Sequence, residues 1–175
     1  MEPKLYEVFT ITGTPTYTFV RPRLYNRLRA ALQTPGLGVV VEGPSGIGKT
    51  TAVTKAIQET GKKFTLLNAR KTNHRDAIDR LLEGMSGTVV IDEFHRLDRR
   101  QKDILANLIK VEADRGGGDL KIVIVGINDA GRSLIESSPD LTYRVEFIRF
   151  GSEPEEKIDE LIRKGEDALN VDIKF

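Results

Sequence analysis

A doubly wound α/β fold, with a mostly parallel five-stranded sheet and helices on both faces, is what this sequence predicts. Three observations lead there. From residue 37 to residue 150, short runs rich in Val and Ile alternate with segments of helical spacing. The runs show almost no polar alternation, the pattern of strands covered on both faces. Strand and helix follow one another without a hairpin signal, so the connections read as right-handed βαβ crossovers.

The apolar runs are Gly38–Val41, Phe64–Leu67, Thr88–Ile91, Lys121–Val125 and, more weakly, Val145–Ile148. The first is followed by helical spacing over Lys49–Thr60, and the second by Arg75–Leu82 with Ala77, Ile78, Leu81 and Leu82 on one face. Gln101–Val111 carries Ile104, Leu105, Leu108, Ile109 and Val111, and Asp129–Glu136 is a shorter fourth helix. The glycines of Asp114–Gly118 read as a flexible connection. Ahead of the sheet, residues 9–20 are Thr-rich with Gly13 and Pro15, which predicts an extended strand and turn. Pro22 then opens a helix whose Leu24, Leu28 and Leu32 recur every four residues and which ends at Thr34–Gly36.

After the sheet, Ser152 or Glu153 caps a last helix with Pro154 at its first position and Glu155 and Glu156 in its first turn, where the helix dipole favours negative charge. That helix is expected to bury Ile158, Leu161, Ile162 and Leu169. Val171–Phe175 alternates apolar and polar residues with nothing after it to pack against, which reads as a chain cut inside a longer protein. The expected division is a leading segment and helix at 1–36, a core at 37–150, and the start of a lid or helical region at 151–175.

Composition narrows the function classes. A chain of 175 residues hides roughly 70% of its unfolded surface and needs no staples. It has no Cys, which removes disulfides, thiolate zinc sites and cysteine nucleophiles. Lys and Arg number 27 against 26 Asp and Glu, so no overall charge attracts a polyanion or a membrane. No apolar run approaches the ~18 residues of a membrane span, and the N-terminus lacks a signal-peptide apolar core. The expected location is the cytoplasm.

Gly43-Pro44-Ser45-Gly46-Ile47-Gly48-Lys49-Thr50 fits G-x-x-x-x-G-K-[ST] at every position, directly after a strand and opening a helix. Such a loop wraps a phosphate with successive backbone N–H groups, and its glycines keep side chains out of the path. Lys49 reaches the β- and γ-phosphates, the Thr50 hydroxyl ligates Mg²⁺, and Thr51 continues the helix start that points its dipole at the anion. A second motif, Thr88–Leu97, ends a buried strand in Asp92-Glu93. Asp92 suits the Mg²⁺ shell, and Glu93 suits a base that takes a proton from an attacking water. Between the two motifs lies room for a further βα unit, the arrangement of P-loop nucleoside triphosphatases with an extra strand between the Walker A and Walker B strands. Gly126-Ile127-Asn128 ends the fourth run, where the Asn128 amide can sense a γ-phosphate. Arg144 precedes the last run at the sheet's edge, away from its own P-loop, and suits a guanidinium that completes a neighbour's site.

With these motifs in this order the chain resembles the nucleotide-binding core of the AAA+ ATPases, especially the branch of replication-origin initiators and TniB/IstB transposition helpers. Asp92-Glu93, His95 and Leu97 match that branch's strand-end motif, Gly126 and Asn128 its first sensor, and Arg144-Val145 its arginine finger. The resemblance covers residues 20–150 and implies Mg-ATP binding and hydrolysis by an oligomerising switch or motor. The leading segment is also similar to STAND signalling ATPases, which implies a non-catalytic nucleotide switch as an alternative. A third reading is a DNA-bound loader or transposition partner, for which Arg21, Arg23, Arg27 and Arg29 around Tyr25 form the candidate basic stripe; with acidic residues elsewhere leaving little net field, the same stripe also reads as a solvated helix face. No helical lid with a second sensor arginine follows Phe150, which implies weak or no hydrolysis by so short a chain. His95 reads as a surface residue, and His74 stands alone with no second histidine to make a metal site.

Overall fold

The computed structural model describes residues 3–10, 13, 15–80 and 86–172. In chain order the helices are α1 (Leu5–Val8), α2 (Tyr25–Gln33), α3 (Lys49–Glu59), α4 (Thr72–Asp79), α5 (Arg99–Asp114), α6 (Ala130–Ser137) and α7 (Glu155–Leu169). The strands are β1 (Gly38–Glu42), β2 (Phe64–Asn68), β3 (Gly87–Asp92), β4 (Leu120–Gly126) and β5 (Val145–Arg149). The chain forms two compact units, Leu24–Gly151 and a smaller one made of Met1–Arg23 with Ser152–Phe175.

In the larger unit all five strands are parallel and ordered β2-β3-β4-β1-β5, as the continuous apolar runs require. Every residue of β1 is buried, as are all but one of β4. By contrast β2 exposes Thr65 and Leu66: it takes the sheet edge, so its run is not covered on both faces. In sequence the β2–α4 unit separates the two motif strands, but in the sheet the strand between them is β4. The chain leaves β1 through α3 to the far edge, then steps back through α4, α5 and α6. Right-handed crossovers therefore place α3 on one face and the other three on the opposite one. Packing agrees, with α2 against α3 and α5 against both α4 and α6. Val40, Val89, Ile91, Ile122 and Ile124 of the sheet meet Ile78, Leu105, Ile109, Leu134 and Leu141 in one buried cluster. The connections of β1 and β4 diverge to opposite faces, and the crevice at their C-terminal ends is where such sheets bind ligands.

Helix boundaries shift where local chemistry intervenes. The α4 helix begins at Thr72, three residues before the expected Arg75, and Leu81 and Leu82 lie outside the described residues. Asp98 caps α5 by accepting the Gln101 N–H at 2.8 Å, so that helix starts two residues early. Asp114–Gly118 is not a slack connection: the Gly116 and Gly117 amides return to the Ala113 and Glu112 carbonyls at positive φ, a hydrogen-bonded helix end. Helix α2 starts at Tyr25 rather than Pro22, with Leu28 and Leu32 buried as the spacing implied.

At the N-terminal end of the sheet, the Lys121 ammonium donates to the Ala31 and Thr34 carbonyls at the close of α2, at 2.6 and 2.8 Å. Burial, with Lys62 nearby, pulls its pKa down to about 8. The unfolded chain therefore binds more protons than the folded one between pH 8 and the ordinary lysine range, and stability from this residue rises with pH across that window. The neutral amine keeps two N–H groups, enough for both carbonyls. Denaturant midpoints at pH 7 and pH 10 are expected to show wild type gaining stability relative to Lys121→Met on going to the higher pH.

In the smaller unit, Gly165 lies where a Cβ would strike the Phe9 ring, which makes glycine the residue that lets α7 approach. Thr18 donates to the Val8 carbonyl at 2.9 Å, and Lys164 to that of Phe19 at 2.7 Å. Two expectations fail here. Among the described residues of 9–20 there is no strand. Ile158 and Leu161 are exposed rather than buried, Ile162 and Leu169 only half-buried, and Gly165 is the fully buried residue of α7. Pro154 is the residue before the first helical position, not the first, and Glu153 instead accepts the Arg23 amide at 3.0 Å. Among the described residues no helix is long and apolar enough to cross a membrane.

Candidate nucleotide site

The phosphate-loop motif runs from the C-terminal end of β1 to the first turn of α3. Gly46 and Gly48 have φ of +81° and +86°, and a Cβ built on either meets only open space. These two positions need glycine for their dihedrals, and they leave the inside of the loop clear. Gly43 needs it for packing, since a Cβ there would collide with the Phe150 carbonyl just past β5. The Lys49 ammonium donates to the Gly43 and Pro44 carbonyls at 2.9 and 2.6 Å, lying inside the curve of its own loop. Burial lowers the Lys49 pKa, and the charges of Asp92 and Glu93 oppose that fall.

At the end of β3 the Thr50 hydroxyl lies 3.1 Å from Asp92 Oδ2, so the start of α3 and the second motif meet there. Burial raises the Asp92 pKa, while the Glu93 amide, 2.8 Å from Oδ1, and the Thr50 hydroxyl pull it back. A hydroxyl and a carboxylate are the hard oxygen donors that Mg²⁺ takes alongside waters and phosphate, so the residues present fit that ion. Glu93 has φ +60° and ψ +38°, a left-handed conformation that costs a non-glycine residue about 1 kcal/mol. Its carboxylate is engaged: Arg70 lies 2.7 Å from Oε1, with His95 at 3.4 Å and Arg96 at 3.9 Å from Oε2.

Sequence reasoning misses Arg70. It lies two residues past the end of β2, and the register Asn68↔Asp92 sets that turn beside the one leaving β3. Glu42 is a second omission. Buried at the end of β1, it accepts Arg149 Nε and Nη2 at 2.9 and 2.7 Å on one oxygen and the Gly131 amide at 3.0 Å on the other. It thereby ties the root of the P-loop to β5 and to the first turn of α6. A lone carboxylate closing the run Gly38–Glu42 is the signal that could have found it.

Asn128 lies at the correct end of β4 but is exposed and makes no hydrogen bond among the described residues. Arg144 is at the opposite end of the sheet: its carbonyl accepts the amide of Gly38, the first residue of β1. With about 3.3 Å of rise per residue, the five steps from Gly38 to Gly43 put it roughly 17 Å or more from its own P-loop. Of the basic stripe, Arg21 and Arg23 precede α2, while Arg27 and Arg29 lie on it and pair with Glu146 and Glu59.

Residues 5–112 match the family described as the hydrolytic ATP binding site of the dynein motor region. The cytoplasmic dynein heavy chain of Caenorhabditis elegans is 32% identical over 126 residues, which is 69% of this chain and 3% of that protein. Among solved structures, the Holliday junction branch migration motor RuvB of Thermotoga maritima superposes with a TM-score of 0.62 at 21% identity, over 86% of this chain and 52% of that one. The Aeropyrum pernix ORC2 protein, in its ADPNP and ADP complexes, does so with a TM-score of 0.60 at 16% identity, over 93% and 55%. At those identities the two structures speak to fold alone, and the chain spans little more than half of either. With its P-loop, its strand-end Asp92-Glu93 and a sheet ordered β2-β3-β4-β1-β5, the chain belongs to the AAA+ P-loop ATPase family.

Proposed function

We propose that this domain binds Mg-ATP and hydrolyses it as an oligomerising switch or motor, at a site completed by Arg144 of a second copy. One observation carries the reading: the Thr50 hydroxyl and the Asp92 carboxylate stand 3.1 Å apart beside an open loop whose lysine is already in place. The loop amides and Lys49 hold the phosphates, with Lys49 exchanging its two carbonyl partners for phosphate oxygens. Thr50 and Asp92 hold Mg²⁺, which when bound offsets charge on the β- and γ-oxygens. Glu93 takes a proton from the attacking water once its carboxylate leaves Arg70, and Asn128 reads the γ-phosphate from the neighbouring strand.

Its distance from its own loop directs Arg144 to another copy. Turnover per subunit is therefore expected to climb with protein concentration. Arg144→Ala is expected to flatten that climb and lower the plateau about a thousandfold. A wild-type rate independent of concentration would remove the shared site.

A second reading, a nucleotide switch with negligible turnover, has its own support, because Glu93 is engaged by Arg70 rather than free. A DNA partner draws no support from α2, whose Arg27 and Arg29 are ion-paired.

A further inference from the structure

At the C-terminal end of the sheet, Glu42 is a buried carboxylate that the proposed mechanism leaves without a task. The parallel register sets it between Gly126 of β4 and Arg149 of β5. Gly43, the first residue of the P-loop, follows it directly, and Asn128 lies two residues past Gly126. One of its oxygens takes the Arg149 guanidinium, and the other takes the Gly131 amide at 3.0 Å. Gly131 is the second residue of α6, so that amide is one of the donors a helix start leaves unsatisfied. Asp129 occupies the N-cap position, yet its side chain caps nothing. Its φ of +75° is a left-handed conformation, costly for a residue other than glycine. The cap of α6 therefore comes from another strand. Glycine at 131 permits it, because a Cβ there would lie 2.8 Å from the Phe147 ring and 3.2 Å from Glu42 Oε2.

Stability does not account for a carboxylate at this place. Burying one costs desolvation, and a charged pair adds little over apolar residues of the same size. What it supplies is direction, since one side chain ties the root of the P-loop to the turn that carries Asn128. A strained residue such as Asp129 keeps its conformation only where its surroundings hold it. Arg149 keeps the Glu42 carboxylate aimed, and the charge of Asp129 also acts on that guanidinium. Resting on the reading that Asn128 senses the γ-phosphate, we propose that Glu42 is a positioning residue for Asn128. It caps α6 from the end of β1 and so holds the Asn128 turn in register with the loop that grips the phosphates. Its contribution is discrimination between ATP and ADP, because both fill the loop and only ATP carries the phosphate that Asn128 reads.

The test measures, with Mg²⁺ present, how well ADP and a non-hydrolysable ATP analogue each displace a fluorescent ADP. The ratio of the two affinities is the preference for triphosphate, and a general loosening of the domain lowers both affinities without moving it. Asn128→Ala is expected to reduce that preference about tenfold. Glu42→Met, which keeps the length and removes the acceptor, is expected to reduce it about fivefold. The double variant is expected to be no worse than Asn128→Ala alone. If Asn128→Ala lowers the preference while Glu42→Met leaves it alone, or if the two losses multiply in the double variant, Glu42 does not act through Asn128 and only this proposal falls. A wild type without the preference, or an Asn128→Ala variant that retains it, overturns the sensing role of Asn128 and this proposal together. Should thermal melts show Glu42→Met unfolded, Arg149→Met decides, because that side chain is 74% exposed and its loss leaves the carboxylate unaimed. A reduction of about threefold is expected there, and an unchanged preference overturns the proposal.

Discussion

Lys49→Ala is expected to weaken nucleotide binding about a hundredfold or more while leaving the fold intact. The ammonium is buried yet sits on two loop carbonyls, Gly43 and Pro44, rather than in a packed apolar environment. Removing it therefore costs the empty domain little. The bound state loses more, since a hydrogen bond to a charged group contributes about 1.5–3 kcal/mol and the lysine serves two phosphates. Each 1.4 kcal/mol is a factor of ten in affinity. Burial works against the charge, but Asp92 and Glu93 sustain it. Titration with a fluorescent ATP analogue, beside a thermal melt of the empty protein, checks both halves of the expectation.

Glu93→Gln is expected to do the reverse, holding ATP affinity within about twofold and lowering turnover by 10²–10⁴, the usual contribution of a positioned general base. The isosteric side-chain amide keeps the left-handed backbone at this position and the backbone N–H donated to Asp92 Oδ1, so Thr50 and Asp92 are undisturbed. What it loses is the ability to accept the proton. Single-turnover measurement of γ-phosphate release, paired with the binding titration, separates the two effects. A variant that hydrolyses at the wild-type rate would remove Glu93 from the mechanism, and a wild type that barely turns over would favour the switch.

Much of this was legible in the chain because two kinds of signal are local. Val39–Val41 and Ile122–Val125 are continuously apolar, the mark of a strand covered on both faces, and the P-loop needs its glycines in sequence order. Features that depend on strand order were not legible. Arg70 meets Glu93, and Arg149 meets Glu42, because β2 lies beside β3 and β5 beside β1, and no spacing in the sequence states those neighbours. The edge position of β2 escaped for the same reason, since Leu66 looks like any buried strand residue until the sheet ends there. In α7 the failure is different in kind. Its apolar stripe promised burial of Ile158 and Leu161, but close approach is governed by size, and the contact with Phe9 is made at Gly165, which has no side chain to register in a hydrophobic pattern.

The shared site is tested most directly by mixing two inactive variants. Lys49→Ala lacks a working P-loop but keeps Arg144; Arg144→Ala keeps the P-loop but lacks the guanidinium. If the site forms between copies, an equimolar mixture contains interfaces that have both residues, and ATP turnover returns to a sizeable fraction of wild type as total protein rises. If turnover in the mixture stays at the sum of the two separate variants at every concentration, Arg144 does not complete a neighbour's site and the account is contradicted.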